Sequence, residues 1–144
     1  MHRGRQKLYL NTQSKRILVV DNFPTWRGLI KTLLELNPEW QLVGEASNSP
    51  EAEARVRELR PDIVLLEIDL PVIDGIQLAR TLHAEYPETK LVFVTTESSR
   101  EMAEYALTAG ALGYILKISV VAELLPALNA VMANKRFISK GVLK

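Results

Sequence analysis

The chain has 144 residues, 47% of them hydrophobic, which suits one domain with its own core and leaves no room for a second of ordinary size. There is no cysteine, so disulfides, thiol catalysis and thiolate metal sites are excluded, and no apolar run reaches the ~20 residues that a membrane span takes. A net charge of +1 conceals an acidic body: nine of the 18 Lys and Arg residues fall within positions 1–16 and 135–144, all 17 acids lie between, and that middle part sums to −8. Residues 1–15, with no signal-peptide pattern, read as a basic extension, and a cytosolic protein is expected. Arg16–Asp21, RILVVD, is a β-branched run ending in an acid. Phe23-Pro24-Thr25-Trp26 then opens a helical pattern with Leu29, Ile30, Leu33, Leu34 and Leu36 on one face.

The alternation continues with a strand at Gln41–Ala46, a helix at Pro50–Leu59, a strand at Asp62–Glu67 and a helix at Gly75–Tyr86. Lys90–Thr95 is the next strand, Arg100–Ala109 a helix and Gly113–Leu116 the fifth strand. A last helix runs from Val120 to Met132 with Val121, Leu124, Leu125, Leu128, Val131 and Met132 as its apolar stripe. The segments ILVV, IVLL and LVFV are apolar on both faces, which predicts a parallel five-stranded sheet covered by helices on each side. Open sheets of this kind carry their functional groups beyond the carboxyl ends of the strands. Asp21, Asn22, Glu67, Thr95, Thr96 and Lys117 stand there, all polar, which predicts convergence on one site. His2 and His83 have no ligand spacing, Gly110 and Gly113 flank a turn, and no Ser-His-Asp, Walker or dinucleotide pattern is present.

The stretches VVDN, LLEIDLPVIDG, VFVTT and GALGYILK, with Pro71 and Gly75 four and eight residues after Glu67, resemble the receiver domain of two-component response regulators. The resemblance covers residues 16–134 and implies a flavodoxin-like (βα)₅ fold that is a signalling module and not an enzyme. By the same resemblance, Glu67 holds the phosphoacceptor position, and Asp21, Asn22 and Asp69 belong to the acidic pocket. Thr95, Tyr114 and Lys117 are the switch and signalling residues. Asp21, Glu67 and the Asp69 backbone carbonyl would face Mg²⁺.

Two positions depart from the family pattern, which has Asp in place of Glu67 and a second acid in place of Asn22. An added methylene displaces the carboxylate by roughly a bond length, a misplacement that can remove on the order of 10²-fold in rate. An amide for a carboxylate takes one charge from a hard-cation site. Weak Mg²⁺ binding, or none, is expected, and no other cofactor. A flavin is disfavoured because no phosphate loop follows the first strand.

Two readings of Glu67 stand side by side: a fixed anion that biases the domain toward an active-like state, or an inert partner of Lys117. Lys117 follows the apolar run Tyr114-Ile115-Leu116 and needs a partner, for which Glu67 and Asp21 are the candidates. Tyr114 is either ordinary packing or the family's inward/outward rotamer switch. The chain therefore reads as a pseudo-receiver; the alternative is a competent receiver that uses a surrogate acid such as Asp69. A histidine kinase is one implied partner. A second copy is another, joined weakly through residues 100–109 and 120–133, where Met102, Tyr105 and Leu107 lie among Arg100, Glu101, Glu104 and Glu123. Asn134–Lys140, NKRFISK, resembles the start of a linker to a helix-turn-helix domain, so residues 135–144 read as linker or tail and DNA would be reached only through a domain that this chain does not contain. The chain is then a piece of a longer regulator, or it acts through contacts alone.

Overall fold

A computed structural model describes residues 14–142. Strands β1 (Lys15–Val20), β2 (Trp40–Ala46), β3 (Ile63–Leu66), β4 (Lys90–Thr95) and β5 (Gly113–Leu116) alternate with helices α1 (Pro24–Glu35), α2 (Ser49–Leu59), α3 (Gly75–Glu85), α4 (Arg100–Leu107) and α5 (Val120–Met132). A 3₁₀ turn, Lys117–Ser119, precedes α5, and a two-residue strand β6 (Phe137–Ile138) follows it. All neighbouring strands are parallel, in the order β2-β1-β3-β4-β5-β6. This is the doubly wound flavodoxin-like arrangement with one strand more than the five expected.

Side chains alternate across the sheet with period two and so build two apolar layers. Leu18, Val20, Val64, Leu66, Phe93, Tyr114 and Leu116 pack toward α2, α3 and α4. Ile17, Val19, Ile63, Leu65, Val92, Val94 and Ile115 pack toward α1 and α5. All four residues of β3 are fully buried, each contributing about 1.5–3 kcal/mol of transfer free energy.

Three helices begin on a side-chain cap: Asn48, Asp74 and Ser99 accept first-turn backbone N–H groups of α2, α3 and α4. Helix α1 begins on Phe23 and has no side-chain cap. Gly75, the first residue of α3, donates its N–H to Ile68 O at 2.7 Å, and a Cβ there would lie 2.0 Å from the Glu67 carbonyl oxygen. Only glycine fits where α3 meets the end of β3.

Some expected faces shift. Leu36 is the C-cap of α1 and 72% exposed, because the helix ends before its face returns to the core. Val121 is 69% exposed; the buried stripe of α5 is Val120, Leu124, Ala127, Leu128 and Val131. The 3₁₀ turn sets that phase. The sixth strand lies in the segment expected as linker or tail: Phe137 and Ile138 pair with Gly113 and Tyr114. Ser139 is buried behind them, accepting from Leu116 N–H at 2.9 Å and bonding to the Glu123 carboxylate. No helix among the described residues is long and apolar enough to cross a membrane. His2 and the basic residues before position 14 lie outside the described residues.

Candidate functional site

Val20 of β1 and Leu66 of β3 are register partners, and in each strand the next residue is an acid. Asp21 and Glu67 therefore stand side by side, with Asp21 N–H donating to Ala46 O and Glu67 N–H to Val20 O, both at 3.0 Å. Lys117 leaves β5 just after Leu116, and its stem crosses the end of β4 to reach them. Lys117 Nζ lies 2.8 Å from Asp21 Oδ2 and 2.8 Å from Glu67 Oε1.

The other two carboxylate oxygens are also taken. Asp21 Oδ1 accepts from Phe23 N–H at 2.9 Å, and Glu67 Oε2 from Ile68 N–H at 2.6 Å and Asp69 N–H at 3.3 Å. All three side chains are buried, at 4% (Asp21), 5% (Glu67) and 4% (Lys117) exposure. Burying ions is costly unless they are paired and hydrogen-bonded; here one ammonium is shared by two carboxylates, and each of the four carboxylate oxygens has at least one donor. Two rings lie over the ammonium, Trp26 at 4.8 Å and Phe23 at 5.9 Å from Nζ to the ring centroid.

Thr95 and Tyr114 sit on the opposite face, since Phe93, Thr95, Tyr114 and Leu116 share the alternation toward α2–α4. Tyr114 is wholly buried against Phe93 and donates its hydroxyl to Glu97 O at 2.8 Å. Thr95, also buried, accepts from Glu97 N–H at 3.4 Å. Burial pushes the Tyr114 phenol well above its ordinary range, and the carboxylates of Glu97 and Glu67 add to this in that order.

The structure thus brings Asp21, Glu67 and Lys117 together and joins Thr95 to Tyr114 through Glu97. The contact expected between Glu67 and Lys117 is direct. The Asp69 side chain is exposed, since β3 ends at Leu66 and the chain bends at Ile68 and Asp69; the role expected of Asp69 rested on its backbone carbonyl. Thr96 is exposed as well. Asn22 is partly buried, and its Oδ1 accepts no hydrogen bond. Phe23, Trp26 and Glu97 were not anticipated at the site. The one sequence signal for the rings is Phe23 itself, at a helix start where a short polar residue is favoured.

Mg²⁺ takes near-octahedral oxygen ligands, usually one or two carboxylates with waters. Here every carboxylate oxygen of Asp21 and Glu67 already accepts, an ammonium lies between them, and Asn22 Oδ1 is the free acceptor. No three His, Cys, Asp or Glu residues among those described are grouped to hold a metal ion. As arranged, the residues do not fit Mg²⁺ unless Lys117 leaves.

On the expected association face, Leu107 is buried at 6% exposure and cannot serve as a contact. Glu123 is tied to Ser139 and to Lys140 N–H, and Arg100 pairs with Glu104 at 3.1 Å. Tyr105 remains half exposed.

The chain is similar to known proteins over most of its length. A family model described as "Response regulator receiver domain" matches residues 17–129. The response regulator GacA of Pseudomonas viridiflava is 36% identical over 127 residues, 88% of this chain and 59% of that protein. The DNA-binding transcriptional activator DevR/DosR of Mycobacterium tuberculosis is 39% identical over 121 residues, 84% of this chain and 55% of that protein. Among solved structures, a LuxR-family two-component response regulator from an Aurantimonas species superposes with a TM-score of 0.85 at 33% identity, covering 90% of this chain and 92% of that one. The chain spans about three-fifths of the length of the first curated relatives it matches. With the family model matched over residues 17–129 and the doubly wound sheet shared with that solved structure, the chain is a member of the response regulator receiver domain family.

Proposed function

We propose that this receiver is a signalling and protein-interaction module that works without phosphorylation at strand three. The observation that carries the reading is the closed Asp21–Lys117–Glu67 triad, in which the ammonium and every carboxylate oxygen already have partners. A phosphodonor needs a free carboxylate in line with phosphorus and a cation to take up developing charge. The triad supplies neither without being broken. Of the two readings of Glu67, the fixed anion is favoured by Tyr114, whose hydroxyl is held inward on Glu97; the Lys117 contact is common to both. A domain locked this way presents one state to its partners.

A protein partner is supported by where the apolar surface lies. Phe23, Val72, Ile73, Ile118 and Val121, five of eight large exposed apolar side chains among the described residues, stand at the strand-end edge around the triad. A histidine kinase is the partner that the family membership suggests, in the cytoplasm. The output we infer is transcription, through a DNA-binding region outside this chain; the support is that the relative DevR/DosR is a DNA-binding transcriptional activator matched over 55% of its length.

Intact-mass measurement after incubation with acetyl phosphate and Mg²⁺ tests the reading. The wild type is expected to gain no phosphoryl group, and Glu67→Asp/Asn22→Asp to gain one base-labile acyl phosphate. A phosphoryl group on exposed Asp69 in the wild type would establish the surrogate-acceptor alternative.

A further inference from the structure

We infer that Trp26 and Phe23 form an aromatic cap that keeps Lys117 as the resident cation of the site and bars small donors from it. This rests on the reading of the site above and adds a second cause of its silence, separate from Glu67 and Asn22. Three observations carry it.

Lys117, Asp21 and Glu67 lie at the solvent edge of the sheet, beyond the last paired residues of their strands, yet each is about 95% buried. Something must cover them. The groups over Nζ are the Trp26 ring at 4.8 Å and the Phe23 ring at 5.9 Å, within the range where a ring face attracts a cation. Trp26 also packs on the apolar layer under α1, which fixes its position.

The second observation is a local conflict. Helices α2, α3 and α4 each begin on a polar side chain that caps them and α5 begins on Ser119 without a cap bond, whereas α1 begins on Phe23, whose side chain has no acceptor and forgoes a cap typically worth ~1 kcal/mol. Departures from local preference gather where another requirement overrides them, and here the ring lies over the ammonium. The third observation is electrostatic. The triad carries two carboxylates against one ammonium, so the ammonium is already shared and has no surplus to hold a phosphoryl oxygen. An incoming anion would meet a site of net negative charge and would have to displace an acid from the ammonium.

The measurement is acetylation of the 144-residue chain by an N-hydroxysuccinimide ester, with rates read at each lysine by peptide mass spectrometry. In the wild type, Lys117 should react about tenfold or more slowly than exposed Lys31. Phe23→Ser/Trp26→Ala, which returns a polar cap to α1, should raise the Lys117 rate about tenfold while Lys31 is unchanged, and Trp26→Phe should stay protected. An unchanged Lys117 rate after both rings are removed overturns the cap. A second arm places Phe23→Ser/Trp26→Ala in the Glu67→Asp/Asn22→Asp background, where acetyl phosphate labelling should become about tenfold faster. Equal labelling with and without the rings, or none in either, likewise overturns it. Labelling of the wild type would instead overturn the phosphorylation-independent reading, and Lys117 protection would still decide the cap.

Discussion

Lys117 is the residue on which the site depends. Its ammonium satisfies two buried carboxylates at 2.8 Å each, so Lys117→Met leaves both acids without their cation. Removing one partner of a buried ion network costs about 3–5 kcal/mol, and that loss is expected at neutral pH by urea denaturation. Adding Glu67→Gln to Lys117→Met should recover part of it, because the second change removes a charge that the first left unpaired. A full additive loss would show that the two side chains are energetically independent despite their contact. Glu67 also anchors backbone: Ile68 and Asp69 both donate to its Oε2. The longer acid folds back on its own turn, a contact that its identity as an acid does not reveal.

At the scale of elements, the junction of β3 and α3 positions Glu67, and Gly75 is its condition. A methyl group at position 75 would press on the Glu67 carbonyl at 2.0 Å, where no flexible side chain can give way. Gly75→Ala is expected to destabilise by about 1–3 kcal/mol and to raise amide exchange at Glu67 and Ile68. The start of α2 offers a pH test. Glu51 accepts from Ser47 N–H at 2.9 Å and from the Ser47 hydroxyl at 3.0 Å. The backbone bond first, then the hydroxyl, hold its pKa below the ordinary 4.5. A lowered folded pKa means stability that is fully present above 4.5 and lost as pH falls through the lowered folded value. Melting curves between neutral and acid pH should therefore show a shallower acid limb for Glu51→Gln than for the wild type; superimposable limbs would assign the interaction no weight. Strand β6 shows how two residues become an element. Its pairing on β5 is held by Ser139, which joins Leu116 N–H to Glu123.

Association is a property of the assembled surface. We propose a weak dimer through residues 100–109 and 120–133, now with Tyr105 as the principal apolar contact, since Leu107 is buried and Glu123 is engaged by the tail. Strand β6 covers the β5 edge between α4 and α5, so residues 137–142 border the same surface. Sedimentation velocity across a concentration series should show self-association without any phosphodonor, and Tyr105→Glu should weaken it about tenfold or more, since a buried aromatic contact is replaced by a charge. A chain that stays monomeric at high concentration would remove the dimer and with it one argument for Glu67 as a fixed anion. The acidic body bears on solubility and on the choice of partner surface, not on the fold.

The alternation of strands and helices, the parallel sheet and the set of polar strand ends were legible in the amino-acid order alone. Apolar runs such as IVLL and LVFV have to be covered on both faces, and acids or lysines that end such runs have to meet. The same order placed Lys117 with Asp21 and Glu67, because a lysine after a buried run must find a counter-charge. The remainder came from contacts between distant segments. The bend after Leu66 left the Asp69 side chain in solvent, and the turn at Glu97 joined Thr95 to Tyr114. The 3₁₀ turn reset the phase of α5, and two residues too few to show any period became β6 because a serine found a carboxylate 16 positions back. The rings over Lys117 belong here as well. Local preference at a helix start favours a short polar residue, and only the packed position of the lysine gives Phe23 and Trp26 something to cover.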